Sequence, residues 1–391
     1  MRPVYILNDN MITSLGFSTA GNLESLEKGT IGIRTADDTR LYPAPVQLSL
    51  VDSPQLTLRF REVSEIYKKD SSPDAFTRLE KLFILSVHDA LRDQHVAPEN
   101  PRTLFVISTT KGNIDLLENR YKTLFSHRRL YLWELGRILK EFFGFANEPI
   151  VISNACISGV VAIMTAARFL QSGAYDHAVV TGGDIASEFV ISGFQSFQAI
   201  SPAPCKPFDL NRTGLSLGEG CGTLVLSATR PGNPGEPAVR VAGAATTNDA
   251  NHISGPSRTG EELGSAINQA MKQAMTAPQE ISYISAHGTA TPFNDEMESK
   301  AIEFCHLSHV PVNSFKGYWG HTLGAAGVVE SVAAIASLRN NILFRSAGFE
   351  TSGVPAPLNV ITSTHEASLK SCLKTASGFG GCNAAIIYQK D

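Results

Sequence analysis

The chain has 391 residues, 43% of them hydrophobic and 18% charged, and carries a formal net charge of −4 at pH 7. That length holds two ordinary domains or one large duplicated one, and the composition is that of a globular protein with a large core. The negative balance excludes a generally basic nucleic-acid binder, and the six cysteines at 156, 205, 221, 305, 372 and 382 include no Cys-x-x-Cys pair, which disfavours zinc and redox motifs.

The N-terminal run Met1-Arg2-Pro3-Val4-Tyr5-Ile6-Leu7 is too short and too quickly polar for a signal peptide; it reads as a strand over 3–7, and a cytoplasmic protein is expected. Helices over 19–28 and 75–93 follow, then a strand over 103–107, a helix over 131–143, a strand over 149–152, a helix over 157–171 and a strand over 177–181. The uncharged stretch 149–167 approaches the length of a membrane span. Pro149, Asn154 and the strand-turn-helix pattern make it a buried element instead, so no membrane span is expected. Pro202 to Pro207 forms a loop, and Gly218-x-Gly220-x-Gly222 lacks the spacing of a nucleotide loop and leads into a strand over 221–227.

Beyond Pro231-Gly232-Asn233-Pro234-Gly235 the pattern restarts: a strand over 238–246, a helix over 260–275, a strand over 281–286, a helix over 294–304, a strand over 310–313, a helix over 322–339, and strands near 368–376 and 382–388. Two α/β halves, 1–230 and 236–391, are therefore expected, although no sequence repeat is visible.

Cys156 stands where the strand turns through Ser153-Asn154-Ala155 into an apolar helix. The unpaired N–H groups and positive dipole of a helix N-terminus favour a thiolate and can hold an oxyanion, which is what acyl transfer to sulfur requires. Most lone cysteines are simply buried, and that reading stands beside the first. His287, in His287-Gly288-Thr289-Ala290-Thr291, and His321, in Gly320-His321-Thr322-Leu323-Gly324, change the balance. Each emerges where a buried element ends, beside small residues that let a backbone or ligand approach closely. His306 and His309 follow Cys305 at metal-compatible spacing, but no second cluster completes a site and no metal is expected.

The segments Asn154-Ala155-Cys156-Ile157-Ser158-Gly159, Pro207-Phe208-Asp209 with Arg212 and Gly214, Gly218-Glu219-Gly220, and His287 to Thr291 recur in order in a known family. So do Lys316 five residues before His321, Gly320 to Gly327, and Gly378-Phe379-Gly380-Gly381-Cys382-Asn383. In order and spacing they resemble the elongating β-ketoacyl-acyl-carrier-protein synthases of the thiolase superfamily, from Met11-Ile12-Thr13-Ser14-Leu15-Gly16 to the last strand. The resemblance implies a thiolase-like α/β fold, two duplicated halves forming a layered αβαβα core. It implies that Cys156 takes an acyl chain as a thioester, with the N–H groups of Cys156 and Phe379 as oxyanion hole. His287 and His321 would promote malonyl decarboxylation and hold the enolate, supported by Lys316. Glu330, a carboxylate on an apolar helix, would partner Lys316.

Thr289, Thr291, Gly378, Phe379 and Gly380 are then expected at the substrate, Phe379 as a gate, with Ile191 and Phe194 near the acyl pocket. No cofactor resides in such an enzyme, because phosphopantetheine arrives on the acyl carrier protein, and a homodimer or a heterodimer with a related synthase-like subunit is expected. Carrier proteins are acidic, so a basic rim is expected on this acidic chain, with Lys68-Lys69 and Arg128-Arg129 as the candidate pairs.

The chain departs from the family pattern at Thr213, where an aspartate is usual, at Ser377, where a phenylalanine is usual, at Tyr318-Trp319, and across 113–145, which lacks the usual Ser-Pro-Phe stretch. These departures are expected at the entrance and acyl pocket and suggest polyene or polyketide-like assembly. Two other readings remain open: a non-catalytic chain-length-factor-like subunit, and a thiolase using Cys382 as base.

Overall fold

A computed structural model describes residues 2–391 apart from Ser71, Pro73, Asp74, Asp93, Lys122, Thr123, 233–236 and 252–254. Most of the expected loop between the halves lies outside the described residues.

Eleven strands form one sheet that is really two, joined where Tyr5 meets Arg240. In the first half the spatial order is Ile150–Ile152, Thr103–Ser108, His177–Asp184, Gly220–Ser227, Tyr5–Ile12. In the second it is Pro311–Asn313, Tyr283–Ser285, Ser371–Gly378, Cys382–Lys390, Val239–Asn248, with the short strand Asn359–Val360 added at the edge. Both halves place their strands in the chain order third, second, fourth, fifth, first, and in both the first three neighbours run parallel and the last two antiparallel. The duplication that leaves no trace as a sequence repeat is explicit in topology.

The helices Ser158–Gln171 and Ala326–Asn340 lie between the two half-sheets. Every residue from Ala326 to Leu338 is buried, which is why that helix is apolar on every side apart from Glu330, Ser331 and Ser337 and has no solvated face over that span. The two helices meet backbone to backbone: a Cβ on Gly159 would lie 2.6 Å from the Val328 nitrogen, and one on Gly327 2.4 Å from the Val160 nitrogen. Arg78–Leu91, begun by a Thr77/Glu80 capping box, covers the outer face of the first half with Ser53–Ile66, and Glu261–Ala274 covers that of the second beside Pro292–Phe304. The result is the αβαβα layering that the resemblance implies.

Among the described residues, two α-helices longer than a single turn were not expected. Ser53–Ile66 buries only Leu56, Phe60, Val63 and Ser64, a stripe thin enough to read as polar loop, although Asp52 caps it through the Gln55 N–H at 2.7 Å and Pro54 opens it. Glu188–Ser196 is short and contains Gly193. Tyr318 and Trp319 also sit differently from expectation: both are fully buried, Trp319 stacked on Phe315 at 5.2 Å, so they fill core rather than shape an entrance. Among the described residues no helix is long and apolar enough to cross a membrane.

Candidate active site

The turn into the Ser158–Gln171 helix holds Cys156 rigidly. Ser158 Oγ donates to the Ala155 carbonyl at 2.6 Å and accepts the Asn154 N–H at 2.8 Å, while Ala155 occupies the left-handed region at φ 43°, a conformation that alanine adopts only under constraint. The backbone of Gly378 presses against the same turn, since a Cβ there would stand 3.0 Å from the Cys156 nitrogen and 2.9 Å from the Cys382 sulfur. Cys156 is 9% exposed, and burial pushes its thiol up to about 12. Desolvation thus opposes the helix N-terminus, which favours the thiolate.

His287 follows the strand Tyr283–Ser285, and His321 follows the short helix Lys316–Trp319 and Gly320. The two rings stand edge to face with centroids 5.2 Å apart. Leu323 donates its N–H to His321 Nδ1 at 3.3 Å, and Lys316 Nζ lies 3.3 Å from His287 Nδ1. Burial holds both imidazoles well below their ordinary range, with Lys316 and Lys374 adding to the effect. Neutral rings whose Nδ1 atoms accept must carry their protons on Nε2. His321 Nε2 is buried with no partner among the described residues, a donor waiting for an acceptor.

Lys316 and Glu330 form a fully buried ion pair at 2.6 Å, and Lys316 also donates to the His287 carbonyl at 2.6 Å. Sequence reasoning missed a third member: Lys374, buried on the strand Ser371–Gly378, lies 2.7 Å from the other Glu330 oxygen, outside hydrogen-bond geometry. It also missed the carboxylates that hold the histidine loop. Glu298 accepts the N–H groups of His287 and Gly288 at 2.8 and 2.7 Å and the Thr375 hydroxyl at 2.6 Å, and Asp295 accepts Thr289 N–H at 2.9 Å and Phe208 N–H at 2.7 Å. Burial pushes Asp295 up to about 7. On the other histidine's loop, Asp184 accepts the Gly324 N–H at 2.7 Å and the Thr109 hydroxyl at 2.7 Å.

Cys156, His287 and His321 line one cavity of about 480 Å³ together with Thr289, Thr291, Phe194, Gly378, Phe379 and Gly380. Two of the departures from the family pattern, Thr213 and Ser377, line it as well. Phe379 is 39% exposed and packs on Phe194 and Phe197 with centroids 5.6 and 5.4 Å away. Gly380 and Gly381, at φ 87° and 76°, give the segment behind it a conformation that side-chain-bearing residues rarely adopt. Ile191 is a correction: it is fully buried with Val190, Leu217 and Leu323, on the core side of the helix that presents Phe194 to the cavity. Cys382 lies behind Gly378, its sulfur 3.5 Å from the Phe379 carbonyl oxygen, a position that does not suit a base acting in the cavity.

The basic candidates divide. Lys68 and Lys69 are exposed, Lys69 donating to the Glu141 carbonyl at 3.1 Å, and Arg128 is exposed over the Trp133 ring. Arg129 is a correction, because it turns inward to the fully buried Glu80 at 2.6 Å and to the Ala75 carbonyl at 3.1 Å. Arg129→Ala is therefore expected to lower stability by about 3 kcal/mol by stranding Glu80, and Arg128→Ala by less than about 1 kcal/mol. Urea unfolding of the two variants checks this, and equal midpoints would contradict it.

Residues 1–231 match the family model described as "Beta-ketoacyl synthase, N-terminal domain" and residues 238–350 the one described as "Beta-ketoacyl synthase, C-terminal domain". A putative polyketide beta-ketoacyl synthase 1 of Streptomyces halstedii is 31% identical over 274 residues, 67% of this chain and 65% of that relative, so the match spans just under two thirds of its length. The mitochondrial 3-oxoacyl-[acyl-carrier-protein] synthase of Arabidopsis thaliana is 26% identical over 99% of this chain and 93% of its own. Among solved structures, the ketosynthase ApeO in complex with its chain length factor ApeC from Xenorhabdus doucetiae superposes with a TM-score of 0.82 at 25% identity, covering 100% of this chain and 98% of that one.

Proposed function

The chain belongs to the beta-ketoacyl synthase family, and from that premise we propose that it is a 3-oxoacyl-acyl-carrier-protein synthase, an acyltransferase that makes carbon–carbon bonds by decarboxylative Claisen condensation. The observation that carries the reading is the convergence of one thiol and two neutral imidazoles in a single cavity.

In the first half-reaction Cys156 sulfur attacks an acyl-carrier thioester. The carbonyl oxygen takes the negative charge within reach of the Cys156 and Phe379 N–H groups, the carbon–sulfur bond to the carrier breaks, and the departing pantetheine sulfur takes up the proton that Cys156 gives up. Because the imidazoles already carry protons on Nε2, neither is a ready acceptor for the thiol proton there. In the second half-reaction malonyl carrier protein loses carbon dioxide. The electron pair of the broken bond passes into an enolate whose oxygen accepts from the Nε2–H groups of His287 and His321. The enolate carbon then attacks the Cys156 thioester and the thiolate leaves. Both donors are fixed before charge develops, which is where electrostatic catalysis gains most.

The acyl carrier protein is the substrate-bearing partner, with exposed Lys68, Lys69 and Arg128 as docking candidates. A second synthase-like subunit is proposed on the analogy of the ApeO complex with its chain length factor. Thr213 and Ser377 in the cavity wall support a chain of polyene or polyketide type. Incubation with acyl and malonyl carrier proteins should give 3-oxoacyl carrier protein with release of carbon dioxide. A protein that forms no bond is the non-catalytic reading, and condensation of acetyl-CoA without carbon dioxide release is the thiolase reading.

Phe379 should separate the two half-reactions. Phe379→Ala is expected to let malonyl carrier react before Cys156 is acylated and to reduce condensation by about tenfold through lost positioning. Rapid-quench kinetics read this, and unchanged half-reactions would make Phe379 ordinary packing.

A further inference from the structure

Lys374 has no place in the mechanism above, yet it is a fully buried ammonium in the middle of a strand that is buried from Ser371 to Ser377. A charge in such a place is stable only when it is paired and hydrogen-bonded. Its Nζ donates to the Thr375 carbonyl at 2.6 Å and to the carbonyls of Ser285 and Ala286 at 3.3 Å, and faces Glu330. Ser285 and Ala286 lead directly into His287.

These contacts close a ring around His287. Its N–H donates to Glu298, which also accepts the Thr375 hydroxyl; the Thr375 carbonyl accepts from Lys374; Lys374 faces one oxygen of Glu330, and the other oxygen accepts from Lys316. Lys316 returns to His287 at its carbonyl oxygen, and its remaining N–H meets Nδ1. An ammonium has three hydrogens, and these three acceptors use them all. Without Lys374, that Glu330 oxygen, which already accepts no hydrogen bond among the described residues, would also lose the counter-charge 2.7 Å away. The carboxylate would then turn to share Lys316 differently or take up a proton, and either change loosens Lys316 from Nδ1.

We propose that Lys374 is a positioning residue for decarboxylation: by anchoring Glu330 it keeps Lys316 on Nδ1 of His287 and so keeps the ring as a fixed Nε2–H donor. The proposal rests on the reading of the chain as a decarboxylating synthase. Lys374 acts through Glu330 and Lys316 and is not placed at the substrate. The acylation of Cys156 does not require the histidine donors, so the effect should be confined to one half-reaction.

The test uses Lys374→Met in the full chain, which keeps the stem and removes the ammonium. Carbon dioxide release from malonyl carrier protein should fall about 10- to 100-fold, as expected for a reacting group displaced by a fraction of an ångström to an ångström, while acylation of Cys156 stays within about twofold. Nitrogen NMR of histidine-labelled protein should show His287 as the Nε2–H tautomer in the wild type and a mixture in the variant. Should Lys374→Met not fold, Lys374→Gln, which retains an N–H donor without the charge, carries the same readouts; failure of both to fold makes Lys374 purely structural and overturns the proposal. Parallel loss of both half-reactions, or an unchanged tautomer in a folded variant, also overturns it. A wild type that releases no carbon dioxide defeats the synthase reading instead, and the tautomer, which needs no substrate, still judges Lys374 separately.

Discussion

Cys156→Ala should leave less than about one hundredth of the wild-type condensation rate, because a covalent catalyst is worth several kcal/mol of barrier and about 2.7 kcal/mol already corresponds to a hundredfold. The fold should persist. Alanine removes one sulfur from the wall of an existing cavity, and the turn is held by Ser158 and Gly378 rather than by the thiol. Intact-mass measurement should find no acyl adduct on the variant after incubation with acyl carrier protein, and the melting temperature should move little. Condensation above about one hundredth of wild type in a protein with an intact melting profile would show that another group carries the acyl chain.

The second large effect belongs to the histidines. His321→Ala should reduce carbon dioxide release by about 100- to 1,000-fold, the loss expected when one preorganised donor to a developing oxyanion is removed, and His287→Ala should do the same. Acylation of Cys156 should survive in both, since its oxyanion rests on backbone N–H groups. The two single losses should not multiply in the double variant, because both donors serve one oxygen. Carbon dioxide release beside the mass of the acylated protein separates the half-reactions. If acylation falls as far as decarboxylation, the division of labour proposed for these residues is wrong.

Residues whose type clashed with their surroundings were legible from sequence. A cysteine at a strand-to-helix turn, histidines framed by glycine and threonine, and Glu330 amid valine and alanine each stood out, and the structure brings the thiol and both imidazoles to one cavity and Glu330 to Lys316 behind it. Lys374 is as fully buried as Glu330 but did not stand out, because serine and threonine flank it along its strand and it falls in no motif. Asp295 and Glu298 were hidden for a different reason. Their helix also carries Phe293, 73% exposed, so a polar pattern there reads as a solvated face. Only the tertiary contact with the His287 loop reveals that these two carboxylates point inward.

Neighbouring residues with opposite fates mark the other limit. Ile191 and Phe194 lie one helical turn apart, and only the packing of an unexpected helix decides that the first enters the core and the second the cavity. Arg128 and Arg129 are adjacent, yet one is solvated and the other neutralises Glu80. Composition says that a basic pair exists but not which member faces water.

The contact of Gly159 with Gly327 bears on how such a protein can change over generations. The thiol stands just ahead of one of the two central helices and His321 just ahead of the other, and where these helices cross, main chain meets main chain. Their spacing is therefore fixed by peptide geometry and not by the bulk of any side chain that mutation could trim or enlarge. The cavity wall is under no such restraint at Phe194, Thr213 and Ser377, which line it from other elements. New chain lengths and shapes can be explored at the wall while the reacting atoms keep their distance, and a methyl group at either glycine would undo every such experiment at once.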